Sequence, residues 1–240
     1  MSGDHISPDA PELPPFCLRR PPLPADPAAA AQAEDLWTAI TTTPGIVDLT
    51  EALPSPRWPV LAYLAEHKPV LLHGSNDATI TELVPRQSHD TEAFGNQYAV
   101  YAASDGIWPI FFAIVDRSQR PLSLHNACFR TELPGGALSD PAYFFSLNRE
   151  AWERAPWRTG TVYLLPRDGF ELRPPERLRG RMTQPLEWAS PAAVTPLAAV
   201  SVGPADFPFL AEIRRHDMRV LSERAEADPD GFPWVTATDP

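Results

Sequence analysis

Apolar positions along the chain fall into short blocks, and the spacing inside each block predicts its element. Asp26 and Pro27 precede an alanine-rich stretch running to Ile40. They read as the N-cap and first turn of a helix. Residues 59–67 give a second short helix. Val70-Leu71-Leu72 is an unbroken apolar run of strand length that ends in His73-Gly74-Ser75. After a polar loop, Gly95-Asn96-Gln97 opens a second strand over 99–102. Ser104-Asp105-Gly106 then offers a cap for a buried helix over 107–114, where Pro109 is tolerable only in the first turn. Residues 122–129, 142–147 and 161–165 are rich in aromatic or β-branched side chains and bounded by Pro or Gly, so they predict strands. Strands are also expected over 186–189 and 194–202. A charged helix is expected over 208–227, with Phe209, Leu210, Ile213 and Val220 as its apolar positions. Helices come first, then many short strands with one inserted helix. That order predicts an α+β domain with a strand-rich core. Strand and helix do not alternate regularly and no Gly-x-Gly-x-x-Gly occurs, so a doubly wound dinucleotide fold is not expected.

Composition narrows the picture. The 240 residues, 43% of them apolar, suffice for one domain with its own core. The net charge of −11 disfavours phosphate backbones and anionic lipid as nonspecific partners, so neither nucleic acid nor membrane is expected. A small anion in a local pocket remains compatible. No apolar run is long enough to span a bilayer, and the first residues carry neither a basic nor an apolar signal region. The two cysteines, Cys17 and Cys128, give no disulfide framework, so a reducing cytoplasm is the default location, with an exported effector as the other. Thirty prolines are present, seven of them in the first 25 residues. Residues 1–25 are therefore expected as a flexible tail, 26–227 as the domain, and 228–240 as a loose C-terminal tail.

Most titratable residues have a plain reading. A histidine after an apolar strand is usually structural, a strand tyrosine usually belongs to the core, and Phe112 lies in an apolar helix. His89-Asp90 and His216-Asp217 lack a second histidine at ligand spacing, so no metal site is expected. No Gly-x-Ser-x-Gly elbow supports a serine hydrolase.

Three stretches, taken in order, change that reading. They are Leu72-His73-Gly74-Ser75 at a strand end, Gly95 to Ala102 leading into a helix start, and Glu187-Trp188 followed by Val194. Together they resemble the His-Tyr-Glu pattern of ADP-ribosyltransferases, the poly-ADP-ribose polymerase branch especially, and bacterial proteins sharing the stretch from Gly95 to Gly106. The resemblance runs in order through residues 70–202. It departs at Tyr98-Ala99-Val100, where the family has a glycine before the tyrosine. It departs again at Pro185, where transferases that modify arginine or asparagine carry Glu or Gln.

The resemblance implies a split-sheet ADP-ribosyltransferase core behind N-terminal helices, with NAD as substrate and no metal. His73 would bond a ribose hydroxyl and Ser75 another. Gly74 would let the backbone approach the nicotinamide amide. Tyr101 would stack on the nicotinamide ring, with Phe112, eleven residues on, as the opposite face. Glu187 would hold a ribose hydroxyl and stabilise the oxocarbenium-like charge as the glycosidic bond breaks, with Glu171 and Glu132 as alternative carboxylates. Arg86 offers a fork donor for the pyrophosphate. The implied activity is transfer of ADP-ribose to an unidentified acceptor. The alternatives are an NAD glycohydrolase and a non-catalytic module that binds NAD, a nucleotide or a protein.

Overall fold

Five helices and two sheets make up the computed structural model, which describes residues 15–23, 27–88 and 93–236. In chain order they are β1 (Leu18–Arg19), α1 (Pro27–Thr42), β2 (Val47–Asp48), α2 (Trp58–His67), β3 (Val70–Ser75), β4 (Arg86–Gln87), β5 (Tyr98–Ala103) and α3 (Trp108–Ile114). There follow β6 (Leu124–Thr131), β7 (Ala142–Asn148), α4 (Arg149–Glu153), β8 (Gly160–Pro166), β9 (Glu171–Leu172), β10 (Glu176–Leu178), β11 (Arg181–Pro185), β12 (Glu187–Ser190), β13 (Ala198–Val202), β14 (Arg214–His216) and α5 (Met218–Ala227). The class is α+β, as the element order predicts. No helix among the described residues is long and apolar enough to cross a membrane.

The first sheet has the order β1-β7-β6-β11-β10, with β14 running parallel to β7. The second has the order β2-β13-β8-β3-β5-β12-β9, with β4 on the start of β5. The chain crosses from one sheet to the other where β11 runs into β12. There the Leu186 N–H donates to the Cys128 carbonyl of β6, and the Leu186 carbonyl accepts from Ser104 N–H after β5. Helix α3 packs on the second sheet and reaches the first through the contact of Phe111 with Phe145 of β7, while α2 lies against β3 and carries α1. One continuous core joins Leu61 and Leu64 of α2, Val70 and Leu72 of β3, Ile110 and Phe111 of α3, and Tyr143 and Phe145 of β7.

Two glycines let α3 lie directly on the second sheet. A Cβ on Gly74 would stand 1.9 Å from the Pro109 carbonyl oxygen, and one on Gly160 would stand 2.0 Å from that of Ala113. Both contacts are below any tolerable approach, so only glycine allows this packing. The cap expected at the start of α3 is present. One Asp105 carboxylate oxygen accepts from Ile107 N–H at 2.8 Å and Trp108 N–H at 2.6 Å, and the other accepts from the Tyr143 hydroxyl at 2.6 Å. Burial pushes the Asp105 pKa up, against the pull of these hydrogen bonds.

Four expectations need correction. Part of the segment expected as a flexible N-terminal tail is built into the fold: β1 pairs with β7, and the Phe16 ring meets Phe144 edge-on at 6.0 Å. The stretch from 228 is not loose over its described part. Phe232 and Trp234 pack against His125, and the Pro233 carbonyl bonds His125 Nε2 at 2.9 Å. These two segments together cover the face of the first sheet that carries Phe144. The helix expected over 208–227 exists only as α5. Phe209 and Ile213 are buried in the main core, which holds residues 208–213 in turns, and β14 follows. Asp217 then starts the helix by accepting from Arg219 and Val220 N–H. Likewise the strand expected over 194–202 begins only at Ala198, with Val194 in an isolated bridge to Leu83.

Candidate functional site

The strands that carry the three stretches are neighbours. β5 lies between β3 and β12, with Leu72 opposite Ala103 and Ala103 opposite Glu187. β3 keeps pairing with β8 up to Ser75, but its ladder with β5 stops at the Leu72–Ala103 pair. At that divergence the His73 imidazole bonds, through Nδ1, the backbone carbonyl of Tyr101 at 2.7 Å. A carbonyl only accepts, so Nδ1 carries the proton. Burial lowers the His73 pKa to about 4. The Tyr101 bond opposes the shift, while the charges of Arg117 and Arg86 add to it. At neutral pH the ring is therefore uncharged, and Nε2 is a bare acceptor with no partner among the described residues.

The chain after β3 is tied to the end of α3. The Asn76 amide donates to the carbonyls of Ala113 and Val115 at 2.8 and 2.9 Å, and its oxygen accepts from Arg117 N–H at 2.8 Å. Arg117 is thereby held with its guanidinium 5.1 Å from the centre of the Phe112 ring. It is open to solvent, yet protein crowds it closely enough for desolvation to lower its pKa. Arg86 is exposed on β4, and its charge is felt at both His73 and Asp77. Two guanidinium groups thus act on one neutral imidazole in a chain of net charge −11.

The remaining expected residues are placed less uniformly. Ser75 Oγ accepts from Asp77 N–H at 3.1 Å. Gly74 has its missing side chain replaced by α3, so its role in packing is shown. Tyr101 anchors the turn before β5: its hydroxyl donates to the Phe94 carbonyl at 2.9 Å and accepts from Gln97 N–H at 2.7 Å. By strand alternation Tyr101 and Glu187 lie on the face of Ala103, whereas His73 lies on the face of Leu71 and Tyr163. His73 meets Tyr101 through the backbone at the gap between strands. The Glu187 carboxylate, mostly buried, is paired with Arg173 Nη1 at 3.2 Å, and Arg173 also holds Glu176 at 2.8 Å. The alternatives Glu171 and Glu132 are both exposed.

Asn76 and Arg117 were not anticipated from the sequence. The polar residue directly after His-Gly-Ser was the available sign for Asn76; nothing in the sequence marks Arg117. The His89-Asp90 pair lies outside the described residues. His216 is bonded to two serine hydroxyls, Ser146 at 2.7 Å and Ser123 at 3.2 Å. Among the described residues no group of three His, Cys, Asp or Glu side chains is placed to hold a metal ion. Compared with known protein families, curated proteins and solved structures, the chain matches none.

Proposed function

We propose that the chain binds NAD where β3 and β5 part and cleaves its nicotinamide–ribose bond, passing ADP-ribose to an acceptor. The observation that carries this reading is the neutral His73, locked through Nδ1 to Tyr101 with Nε2 left as an acceptor. Such a nitrogen fits a ribose hydroxyl, which must donate to it. An imidazolium would instead suit a phosphate.

In this reading the ligand passes through the gap where the β3–β5 ladder ends, so that His73 fixes the register of one ribose from its own face of the sheet while Tyr101 and Glu187 act from the other. Tyr101 and Phe112 bracket the nicotinamide ring, and Arg86 and Arg117 face the diphosphate, where fork donors match phosphate oxygens. Glu187 stabilises the positive charge that develops on the ribose as nicotinamide leaves. The Arg173 ion pair fixes that carboxylate in place, and a ribose hydroxyl would donate to it alongside Arg173. Water in place of the acceptor would make the same site a glycohydrolase. The acceptor class stays open in this reading.

One observation favours a second reading, a module that binds NAD or a nucleotide without cleaving it. Glu187 is already engaged by a guanidinium. Incubation with NAD and measurement of nicotinamide release separates the two. Release that falls by about a hundredfold or more in Glu187→Gln supports catalysis, as expected when a transition-state electrostatic partner is removed. Release no faster than blank, with NAD binding retained, would leave the binding module.

A further inference from the structure

A cavity opens at the end of β3 away from His73, where α2, the end of β8 and the crossing from β11 to β12 come together. Its volume is about 460 Å³, and its wall holds Arg20, Glu66, Ser104, Arg130, Arg167 and Trp188, with Asp140 at the rim. The charges are uneven. Arg20 and Arg130 both bond the same oxygen of Glu66, Oε1, at 2.5 and 2.7 Å. Burial would raise the Glu66 pKa, but the two guanidinium groups outweigh it and hold the carboxyl below its usual range. One carboxylate thus serves two cations. The other carboxylate, Asp140, reaches Arg20 only at 3.2 Å, and its side chain is 81% exposed.

Arg167 completes the imbalance. Among the described residues no carboxylate pairs with it. Its Nη2 reaches only the carbonyls of Ala65 and Lys68, at 3.4 and 3.3 Å, and its Nε is buried with no hydrogen-bond partner. Its guanidinium stands 5.5 Å from the centre of the Trp188 ring, and the Trp188 indole N–H donates to Ser104 Oγ. A buried donor without an acceptor is costly. Three guanidinium groups against one enclosed and one exposed carboxylate leave the cavity cationic in an acidic chain. Their forked donors match tetrahedral oxyanions better than single carboxylates.

We propose that this cavity binds a phosphate group, free or on a small phosphate ester, held by Arg167 with Arg20 and Arg130. The site is separate from His73 and does not rest on the NAD reading.

Calorimetric titration of the full chain with inorganic phosphate and, separately, with AMP tests the proposal. Saturable binding of phosphate is expected. AMP binding more tightly than phosphate, in His73→Ala as in wild type, would identify a nucleotide as the source, with its base against Trp188; equal affinity would identify phosphate itself. Arg167→Gln is expected to weaken binding by about tenfold or more, the effect of losing a charged hydrogen bond. Glu66→Gln is expected to act in the opposite direction and tighten binding several-fold, because it releases two guanidinium groups. Circular dichroism checks that each variant is folded, and Arg167→Lys, which keeps the charge but not the fork, should fall between wild type and Arg167→Gln. His73→Ala should leave phosphate binding unchanged. The proposal is overturned if wild type shows no saturable binding of either compound up to about 10 mM. It is equally overturned if His73→Ala weakens binding as much as Arg167→Gln, since the anion then binds beside His73.

Discussion

His73 and His216 share one electrostatic property and differ in everything else. Each has its pKa lowered to about 4, mainly by burial. His216, on β14 against β7, has both ring nitrogens bonded to serine hydroxyls inside the fold and is 3% exposed. His73, at the divergence of β3 and β5, has one nitrogen bonded to a backbone carbonyl, and solvent reaches part of the side chain. A depressed histidine pKa therefore marks burial first and does not by itself mark a binding site. What separates a binding histidine from a structural one is the nitrogen left over after the fold's own bonds are made.

The largest expected effect falls on the residue next to His73. Gly74→Ala sets a methyl group against the Pro109 carbonyl, so α3 must move off the sheet. A stability loss of about 3 kcal/mol in urea unfolding is expected; a loss below about 1 kcal/mol would show that the contact relaxes freely. His216→Ala comes next, because it strands the hydroxyls of Ser146 and Ser123 and opens a cavity. Its expected cost is also up to about 3 kcal/mol, with NAD binding unchanged. His73→Ala reverses that pattern. It removes one internal hydrogen bond, for about 1 kcal/mol of stability, while NAD binding falls by about tenfold or more.

The pH dependence follows from the same two rings. Each takes up a proton in the unfolded chain near its ordinary value of 6.5 but resists it in the folded state down to about 4. The unfolded state thus binds more protons across that window, so stability is complete above about pH 6.5 and is lost as pH falls toward 4. The loss from His216 is at most about 3 kcal/mol, and from the more exposed His73 it is smaller. Urea unfolding at several pH values checks this: His216→Ala should flatten the slope more than His73→Ala. The smallest effect on stability is expected from Glu187→Gln. Arg173 keeps Glu176, so the loss is about 1 kcal/mol or less, and its consequence is read in nicotinamide release.

How much was legible in the sequence differs from element to element. Strands β3, β5, β7 and β8 and helix α3 follow from apolar runs bounded by Pro, Gly or a capping Asp, because local chemistry sets their ends. The fate of residues 208–213 does not, since a helical pattern there is overridden by the burial of Phe209 and Ile213 in a core built by distant strands. The terminal segments carry few apolar residues and many prolines. Nothing local reveals that Phe16 and Phe232 cover the face around Phe144. At the site, the adjacency of the His73 and Tyr101 strands was readable because both residues sit at marked strand positions; that their side chains lie on opposite faces was not, because it depends on where the β3–β5 ladder begins. The Glu187–Arg173 pair was not, because Arg173 comes from a proline-flanked loop whose path depends on the sheet it meets.

The most direct measurement is NAD binding by calorimetry at pH 7 to wild type, His73→Ala and His216→Ala. If the leftover nitrogen of His73 receives a ribose hydroxyl, wild type and His216→Ala bind alike and His73→Ala binds about tenfold or more weakly. Equal binding by wild type and His73→Ala, or no binding by wild type, would contradict the placement of the site.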